Sequence, residues 1–157
     1  MEELFRHEMP EWDRSRFLTE DNDGEEWKLL PQLEAAEKLY EQCREIFRLC
    51  RLMGVQMTGL WGEAHRDLIM ESICIVGPKI ISAETTGLYV TCMENAAVIR
   101  YNMGQLRNML ITMDMLDTKA KYYSPHILEE IETFKRLFKV WISFFKKDDW
   151  EDEWGLF

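Results

Sequence analysis

The chain has 157 residues, of which 46% are hydrophobic and 31% charged, a composition that supports one domain with its own core. Its mean hydropathy is −0.33, and its longest apolar stretch, around residues 73–81, is interrupted by Pro78 and Lys79. A membrane-spanning helix needs about 20 apolar residues, so none is expected. The acidic N-terminus resembles neither a signal nor a transit peptide, which predicts a cytoplasmic protein.

The net charge of −10 is distributed unevenly along the chain. Residues 1–30 hold ten acids and four bases, residues 31–147 hold fourteen and fifteen, and residues 148–157 hold five acids and no base. We therefore predict an acidic N-terminal arm (1–30), a nearly neutral four-helix bundle (31–147) and an acidic aromatic C-terminal tail (148–157). Because the acidity lies outside the bundle, it does not exclude a nucleic-acid partner for the bundle.

The N-terminal arm shows no sustained periodicity, and its residues 19–26 form an acidic linker. Apolar residues such as Trp12 and Phe17 leave two alternatives open, docking on the bundle or on a partner. Periodicity begins at Leu33, where apolar residues start to recur every three or four positions. This pattern predicts an amphipathic first helix that begins near Pro31 and is closed by glycines at positions 54 and 59.

The second helix is predicted from about Gly62 to Ile81. Its expected inward residues include Trp61, His65 and Leu68. Pro78 is expected to kink this helix or to end its last turn, because proline lacks the backbone N–H that the helix needs.

Two more helices complete the pattern. A short turn at residues 85–87 precedes a third helix, whose apolar stripe covers Leu88–Met113. A loop at 117–123 then leads to Ser124-Pro125, which predicts the start of the fourth helix, with serine as the N-cap. No alternating strand pattern persists. The predicted fold class is all-α, an antiparallel up-down four-helix bundle.

Motifs for metal, redox or hydrolytic chemistry are absent from the sequence. Cys43, Cys50, Cys74 and Cys92 form no CxxC pair and have no histidine at zinc-ligand spacing, so buried thiols are expected. No histidine follows a glutamate by three positions, and HExxH, GxSxG and Gly-rich phosphate loops are missing. His65 has the chemistry of a general base, but its neighbours favour a core or boundary role. We expect no enzyme activity, no metal and no cofactor.

Eight basic residues of the first, third and fourth helices are candidate nucleic-acid contacts, because arginine and lysine bind phosphate oxygens. They are Arg44, Arg48, Arg51, Arg100, Arg107, Lys135, Arg136 and Lys139. Arg100 and Arg107 are seven positions apart and should share one helix face. The alternative is ordinary surface pairing with acids such as Glu41, Glu45 and Glu132, or with an acidic tail.

The C-terminal tail combines acids with large apolar residues. The candidate partner-binding residues are Trp150, Trp154, Leu156 and Phe157. In a docking peptide the aromatic side chains would fill pockets, the carboxylate at the chain end would meet cations, and the acids would steer the tail to a basic partner. The tail resembles the acidic, Phe-terminated tips of bacterial single-stranded DNA-binding proteins. The alternative is a tail folded back on its own bundle.

Ten methionines and a 12% aromatic content exceed what the core of one small helix bundle requires. Leu49, Leu52, Tyr89, Met93 and Met109 lie outside the main stripes of their helices. A second apolar face favours self-association into a homo-oligomer, and a generous core covered by the N-terminal arm is the alternative.

Five stretches of the predicted helices resemble a known bacterial family. They are Glu37-Lys38-Leu39-Tyr40, Gly77-Pro78-Lys79-Ile80-Ile81, Glu94-Asn95-Ala96-Ala97-Val98-Ile99-Arg100, Tyr123-Ser124-Pro125 and Trp141-Ile142-Ser143-Phe144. Over residues 35–145 the chain resembles the four-helix-bundle proteins encoded in intervening sequences of large ribosomal RNA genes. It equally resembles their relative, the accessory variability determinant of diversity-generating retroelements. The resemblance implies a pentamer that binds a reverse transcriptase and nucleic acid.

We therefore expect a non-enzymatic, oligomeric accessory protein that scaffolds a reverse transcriptase and its RNA or DNA. The alternative is a protein-only adaptor that docks on a basic protein through its acidic aromatic tail and has no nucleic-acid role.

Overall fold

Four long helices account for most of the structure: α1 (Glu26–Val55), α2 (Gly59–Thr86), α3 (Tyr89–Thr112) and α4 (Ser124–Ile142). The computed structural model describes residues 8–18, 24, 26–116 and 118–156. Short 3-10 helices occur at Arg14–Arg16, Met113–Met115 and Lys119–Tyr122. The described residues contain no β-strand, so the prediction of an all-α four-helix bundle is confirmed.

The four helices surround one apolar core. α2 packs on α1 and α3, and α4 packs on α1 and, less extensively, on α3. No helix in the described ranges is long and apolar enough to cross a membrane. The largest fully buried side chains are those of Trp141, Tyr40, Leu39, Ile46, Met53, Met57, Ile69, Met70, Ile73, Ile80, Ile99 and Leu106.

Polar contacts show which helix ends are neighbours. Near the start of α1, Gln32 donates a hydrogen bond to Glu84 near the end of α2, over 3.1 Å. Farther along α1, Gln42 donates to the backbone carbonyl of Glu130 in α4, over 3.0 Å. The loop before α4 contacts the end of α1 through a hydrogen bond from Thr118 Oγ1 to the Gln56 carbonyl.

Both helices that contain an internal proline are longer than predicted. α1 begins at Glu26 and includes Pro31, and α2 continues past Pro78 to Thr86. Both proline rings are exposed, so water can reach the carbonyl that each ring leaves without its helical partner. α2 ends instead at Gly87, whose φ of +65° is the left-handed conformation that closes many helices.

Two side chains of α2 that were predicted to face the core are exposed. Trp61 and Leu68 leave 76% and 52% of their surface accessible, while the neighbouring Ile69 and Met70 are buried. Leu60, next to Trp61 in the first turn of α2, is also exposed, at 81% of its surface. His65 is half-buried, with Nδ1 3.0 Å from the Trp61 carbonyl oxygen, as expected of a boundary histidine.

The start of α4 is predicted correctly, but the role of Ser124 is not. Tyr123 occupies the N-cap position and already has helical dihedral angles, because the preceding 3-10 helix leads directly into α4. A serine N-cap needs an extended residue at that point. The buried Ser124 hydroxyl consequently has no hydrogen-bond partner among the described residues.

Residues 8–18 of the N-terminal arm dock on the bundle. The Trp12 ring stacks on Phe17, with centroids 4.8 Å apart, and lies tilted against Tyr40 at 5.3 Å. The Tyr40 hydroxyl donates a hydrogen bond of 2.8 Å to the Pro10 carbonyl. Of the two alternatives for the arm, docking on the bundle is the one that these contacts show.

Candidate interaction surfaces

The described residues contain no group of three His, Cys, Asp or Glu side chains that could hold a metal ion. Cys43, Cys50 and Cys92 are buried, which confirms the expectation for these three, and Cys74 is half-buried. Burial raises the pKa of all four thiols, to about 11 for Cys92. Thiols that stay protonated at neutral pH are poor nucleophiles and poor metal ligands.

On α1, acids of the same helix pair with two of the three candidate arginines. Arg44 Nη1 lies 3.1 Å from Glu41 Oε2, and Arg48 Nη2 lies 2.7 Å from Glu45 Oε1. Both are i,i+3 neighbours, the arrangement named above as ordinary surface pairing. The Arg48 bond holds the pKa of the Glu45 carboxyl below its usual range. A phosphate would have to displace a carboxylate at each of these positions.

The third arginine of α1 stands beside the same acids. Arg51 makes no hydrogen bond or ion pair within the described ranges, and it lines an open cavity of about 420 Å³ together with both ion pairs and Glu8. Three carboxylates and three guanidinium groups therefore share this surface. Because these charges balance, the surface does not attract a polyanion as an unpaired arginine cluster would.

An apolar groove separates α3 from α4. It is lined by Met103 and Gly104 of α3 and by Ile131, Phe134 and Phe138 of α4, and its volume is about 190 Å³. A Cβ atom on Gly104 would meet nothing within 4 Å, so this glycine leaves the groove open. Pockets for small molecules usually have about 300–1,000 Å³. The groove is therefore suited to one or two apolar side chains.

Three cations also line this groove: Arg100, Arg107 and Lys135. Arg100 makes no hydrogen bond or ion pair within the described part of the chain. Lys135 donates a hydrogen bond to Glu132, and this bond is the main reason why the pKa of the Glu132 carboxyl is lowered. The charges of Arg107 and Arg136 lower it further by smaller amounts. The prediction that Arg100 and Arg107 share a helix face is confirmed, and both lie beside the apolar residues that line the groove.

The remaining two candidate bases of α4 are exposed and do not line the groove. Arg136 Nη2 donates to Thr133 Oγ1 over 2.9 Å, and Lys139 lies one turn farther along the helix. The eight candidate bases thus occupy separate places. Three lie on the charge-balanced surface of α1, three around the groove, and two on the exposed side of α4.

The C-terminal tail is fixed to the bundle at its first residue. Asp148 Oδ2 accepts a hydrogen bond of 2.9 Å from the backbone N–H of Tyr89, the first residue of α3. Leu88 at the N-cap supplies no side-chain acceptor, so Asp148 takes that role from a distant part of the chain. The positive end of the helix dipole favours a carboxylate there.

A turn at Asp152 shapes the rest of the described tail. Its Oδ1 accepts from the Trp154 N–H over 3.1 Å, and its Oδ2 accepts from the Leu156 N–H over 2.7 Å. Its carbonyl accepts from the N–H of Gly155, which has a φ of +68°. One carboxylate therefore holds the backbone on which Trp154 and Leu156 are carried.

Three of the four candidate partner-binding residues of the tail are exposed. Trp150, Trp154 and Leu156 leave 52%, 87% and 67% of their surface accessible. Phe157 lies outside the described residues. For the described side chains, the structure does not show the alternative in which the tail packs on its own bundle.

One carboxylate is embedded between helices instead of facing solvent. Glu84 Oε1 accepts a hydrogen bond of 2.7 Å from Trp141 Nε1 and one of 3.1 Å from Gln32 Nε2. Burial raises the pKa of Glu84, and the two hydrogen bonds offset part of this rise. Glu84 thereby connects α1, α2 and α4.

Three residues that build these surfaces escape the sequence analysis: Gly104, Asp148 and Asp152. Aspartate followed three positions later by glycine is a turn signature, so the turn at Asp152 was available from the sequence. An isolated glycine in a helical pattern also signals a local reason for its presence. Asp148 has no such signal, because the N–H that it caps lies 59 positions away.

Comparisons with protein-family models, with curated proteins and with solved structures find no match to this chain. The assignment of function therefore depends on the geometry and chemistry of the surfaces described above.

Proposed function

We propose that this protein is a non-enzymatic adaptor that docks on a basic partner protein through its acidic aromatic tail. The observation that carries this proposal is the exposure of Trp150, Trp154 and Leu156 on a backbone held by the Asp152 turn. Large apolar side chains dominate the binding energy of most interfaces. A turn that is formed before binding also lowers the entropy lost on docking.

The charge of the tail indicates the kind of partner. Residues 148–157 carry five acids and no base, so they accelerate encounters with a positively charged surface. The partner surface would combine apolar pockets for the two tryptophans with cations for the acids and for the carboxylate of the chain end.

A second candidate function is the role implied by the family resemblance. In that role the protein forms a homo-oligomer, a pentamer by resemblance, and scaffolds a reverse transcriptase with its RNA or DNA. Arg100 favours this candidate, because it makes no hydrogen bond or ion pair within the described ranges and lies with Arg107 and Lys135 on one surface. Guanidinium groups without a protein partner are available to phosphate oxygens.

In either role we infer an up-and-down bundle that works in the cytoplasm, with acidic segments before and after the helices. The hydrogen bond between Gln32 and Glu84 supports this topology, because it joins the start of α1 to the end of α2. The bond from Thr118 to Gln56 supports it as well, since it brings the loop before α4 to the end of α1.

Affinity capture with the full-length protein as bait tests the adaptor. Trp154→Ala and Phe157→Ala should abolish capture and leave the melting temperature nearly unchanged, because hot-spot aromatics bind whereas a free tail contributes little to folding. Trp61→Ala is the matched control, since Trp61 is as exposed as the tail tryptophans but lies on α2. One residue added after Phe157 should also weaken capture. Undiminished capture by Trp154→Ala would overturn the adaptor proposal.

Salt-dependent binding of labelled duplex DNA and single-stranded RNA tests the second candidate. Arg100→Ala should reduce the salt slope of log K by about 0.9 on duplex DNA and about 0.7 on a single strand if it contacts one phosphate. Arg48→Ala is the control, because Arg48 is paired with Glu45. Equal slopes for the wild type and both variants would remove the nucleic-acid role from Arg100.

A further inference from the structure

We propose that the groove between α3 and α4 receives the C-terminal tail of a second copy of this chain, so that copies associate head to tail. This goes beyond the adaptor proposal, because it assigns the groove, which the adaptor does not use. It is tested on the purified protein alone, so its outcome is independent of any external partner.

The groove and the tail are complementary in chemistry. The groove floor holds Phe134, Phe138 and Met103, and its volume of about 190 Å³ suits an indole side chain such as that of Trp154. Tryptophan contributes a large apolar surface when it enters such a site. Sulfur and aromatic contacts from the floor add to the fit.

The charges of the two surfaces are also opposite. Arg100, Arg107 and Lys135 line the groove, and among the described residues only Lys135 has a carboxylate within hydrogen-bonding distance. In the tail, Trp154 follows three consecutive acids at positions 151–153. A tryptophan seated on the apolar floor would therefore bring its acids toward the two arginines, where charge-assisted hydrogen bonds form.

The reach of the tail indicates a second copy. Asp148 is fixed beside Tyr89, and from there α3 rises by about 27 Å to Arg107 at 1.5 Å per residue. The six residues from Asp148 to Trp154 span at most about 20 Å when fully extended. The turn at Asp152 makes this span shorter still. While Asp148 stays bonded to Tyr89, the tail of the same chain therefore cannot bring its acids to Arg107, although Arg100, about 16 Å from Tyr89 by the same rise, lies within its length.

The tail of a second copy has no such restriction. Trp154 is 87% exposed, and the tail emerges at the start of α3, away from the middle of the groove. Groove and tail are different surfaces, so each contact leaves one groove and one tail unused. Repetition of such a contact gives a closed ring where the rotation permits and an open chain otherwise.

Filling the groove tests its half of the contact. Gly104→Leu should place a side chain in the groove and abolish self-association in sedimentation velocity across a concentration series. Gly104→Ala is the matched control, because its Cβ meets nothing within 4 Å and leaves most of the groove open. Both substitutions improve helix propensity, so loss of folding would not explain a difference between them. Circular dichroism verifies that both variants fold.

Charge reversal at the groove gives an independent measure. Arg107→Glu should weaken self-association and reduce its dependence on salt. Lys139→Glu makes the same change of charge on α4 at a residue that does not line the groove, and it should leave association close to wild type. Trp154→Ala should weaken association roughly 30-fold, the loss typical of a hot-spot aromatic.

Mixing two defective variants decides between the tail of a second copy and the tail of the same chain. Gly104→Leu retains a tail, and Trp154→Ala retains a groove, so an equimolar mixture should form a one-to-one heterodimer at concentrations at which neither variant associates alone. Three results would overturn the proposal: a monomeric wild type, Gly104→Leu that associates like Gly104→Ala, or a mixture that stays monomeric. If the mixture stays monomeric although the wild type associates, the groove binds something other than the tail of a second copy.

Discussion

The N-terminal arm and the C-terminal tail are both acidic and aromatic, yet their described tryptophans are placed differently. In the arm, Trp12 contacts Phe17 and the buried Tyr40. In the tail, Trp150 and Trp154 are exposed. Composition alone therefore does not decide whether such a segment docks, because the two segments share it.

Features of the bundle surface explain the difference. Gly77 of α2 has no side chain, and a Cβ there would collide with the methyl group of Met9, so the bundle leaves a place for the arm. The arm also contains Arg14, which pairs with Glu37 of α1. The tail has no base, and the Asp152 turn bonds its backbone to itself. An arm that fits a prepared surface docks, whereas a self-bonded, purely acidic tail stays exposed.

The largest effect is expected from removing the tryptophan of the arm. A fully buried tryptophan costs about 3–5 kcal/mol when replaced by alanine, and partial burial reduces this to about 2–3 kcal/mol for Trp12→Ala. For a domain of this size the loss lowers the melting temperature by roughly 4–12 °C. Trp154→Ala should leave it within about 1 °C, because surface substitutions change stability little. Differential scanning calorimetry measures both.

Trp12→Phe is the control for the arm. The buried Trp12 Nε1 has no hydrogen-bond partner among the described residues, so phenylalanine retains the ring stacking and removes an unpaired donor. We expect a melting temperature close to wild type. Equal losses for Trp12→Ala and Trp154→Ala would show that both segments pack on the bundle and would contradict the difference between arm and tail.

The next effect concerns the point at which the tail is anchored. Asp148→Ala removes the acceptor for the Tyr89 N–H and should cost about 1 kcal/mol, the usual value for a lost helix cap. Asp149→Ala changes the charge equally without removing a bond to α3 and is the matched control. A thermal shift for the Asp148 variant alone would show that the tail is tied to the bundle only at its base.

The helix pattern was predictable from the sequence because its determinants are local. The stripe through Leu39, Cys43, Ile46 and Cys50 is buried as predicted, since helical spacing brings these residues to one face. Exposure of Trp61 was not predictable, because it depends on whether residues of other helices cover the first turn of α2. Long-range relations of this kind have no signal in the local pattern.

The candidate sites were predictable only in part, for the same reason. The spacing of Arg100 and Arg107 correctly placed them on one face. The groove beside them also requires Phe134 and Phe138 of α4, and the spacing of residues within α3 carries no information on which side chains of α4 lie next to it. Pairing of Arg48 with Glu45 was one of two open alternatives, because i,i+3 spacing permits an ion pair without requiring it.

A smaller effect is expected in the pH dependence of the melting temperature, which should differ between a buried and an exposed carboxylate. The folded-state pKa of Glu84 is raised, so the stability that its protonated form contributes is complete below its unfolded pKa of about 4.3 and is lost as pH rises through the folded value. Glu84→Gln cannot ionise and retains an acceptor for Trp141. Its melting temperature relative to wild type should therefore increase from pH 4 to pH 8. The hydrogen bonds to Glu84 already offset part of the rise in pKa that burial causes, which limits the expected gain in melting temperature.

Glu132→Gln is the control with the opposite sign. Lys135 lowers the pKa of Glu132, so this carboxylate contributes stability above its unfolded pKa, and that contribution is lost as pH falls. The variant should be slightly less stable than wild type at pH 7 and equal to it in acid. Parallel pH profiles for the variants of Glu84 and Glu132 would contradict the assignment of Glu84 as buried.

The smallest effect is expected at the ion pair of the arm, and it separates the two causes of docking. Arg14 Nη2 lies 2.6 Å from Glu37 Oε2, but both side chains are well exposed, and water screens the attraction between them. Arg14→Ala should therefore lower the melting temperature less than Trp12→Ala or Asp148→Ala does, and less still in high salt. Arg16→Ala, on the same turn and without an ion pair within the described ranges, is the control. If Arg14→Ala releases the arm to proteolysis as fully as Trp12→Ala, then charge, and not the fit of apolar side chains to the bundle, is what distinguishes the arm from the tail.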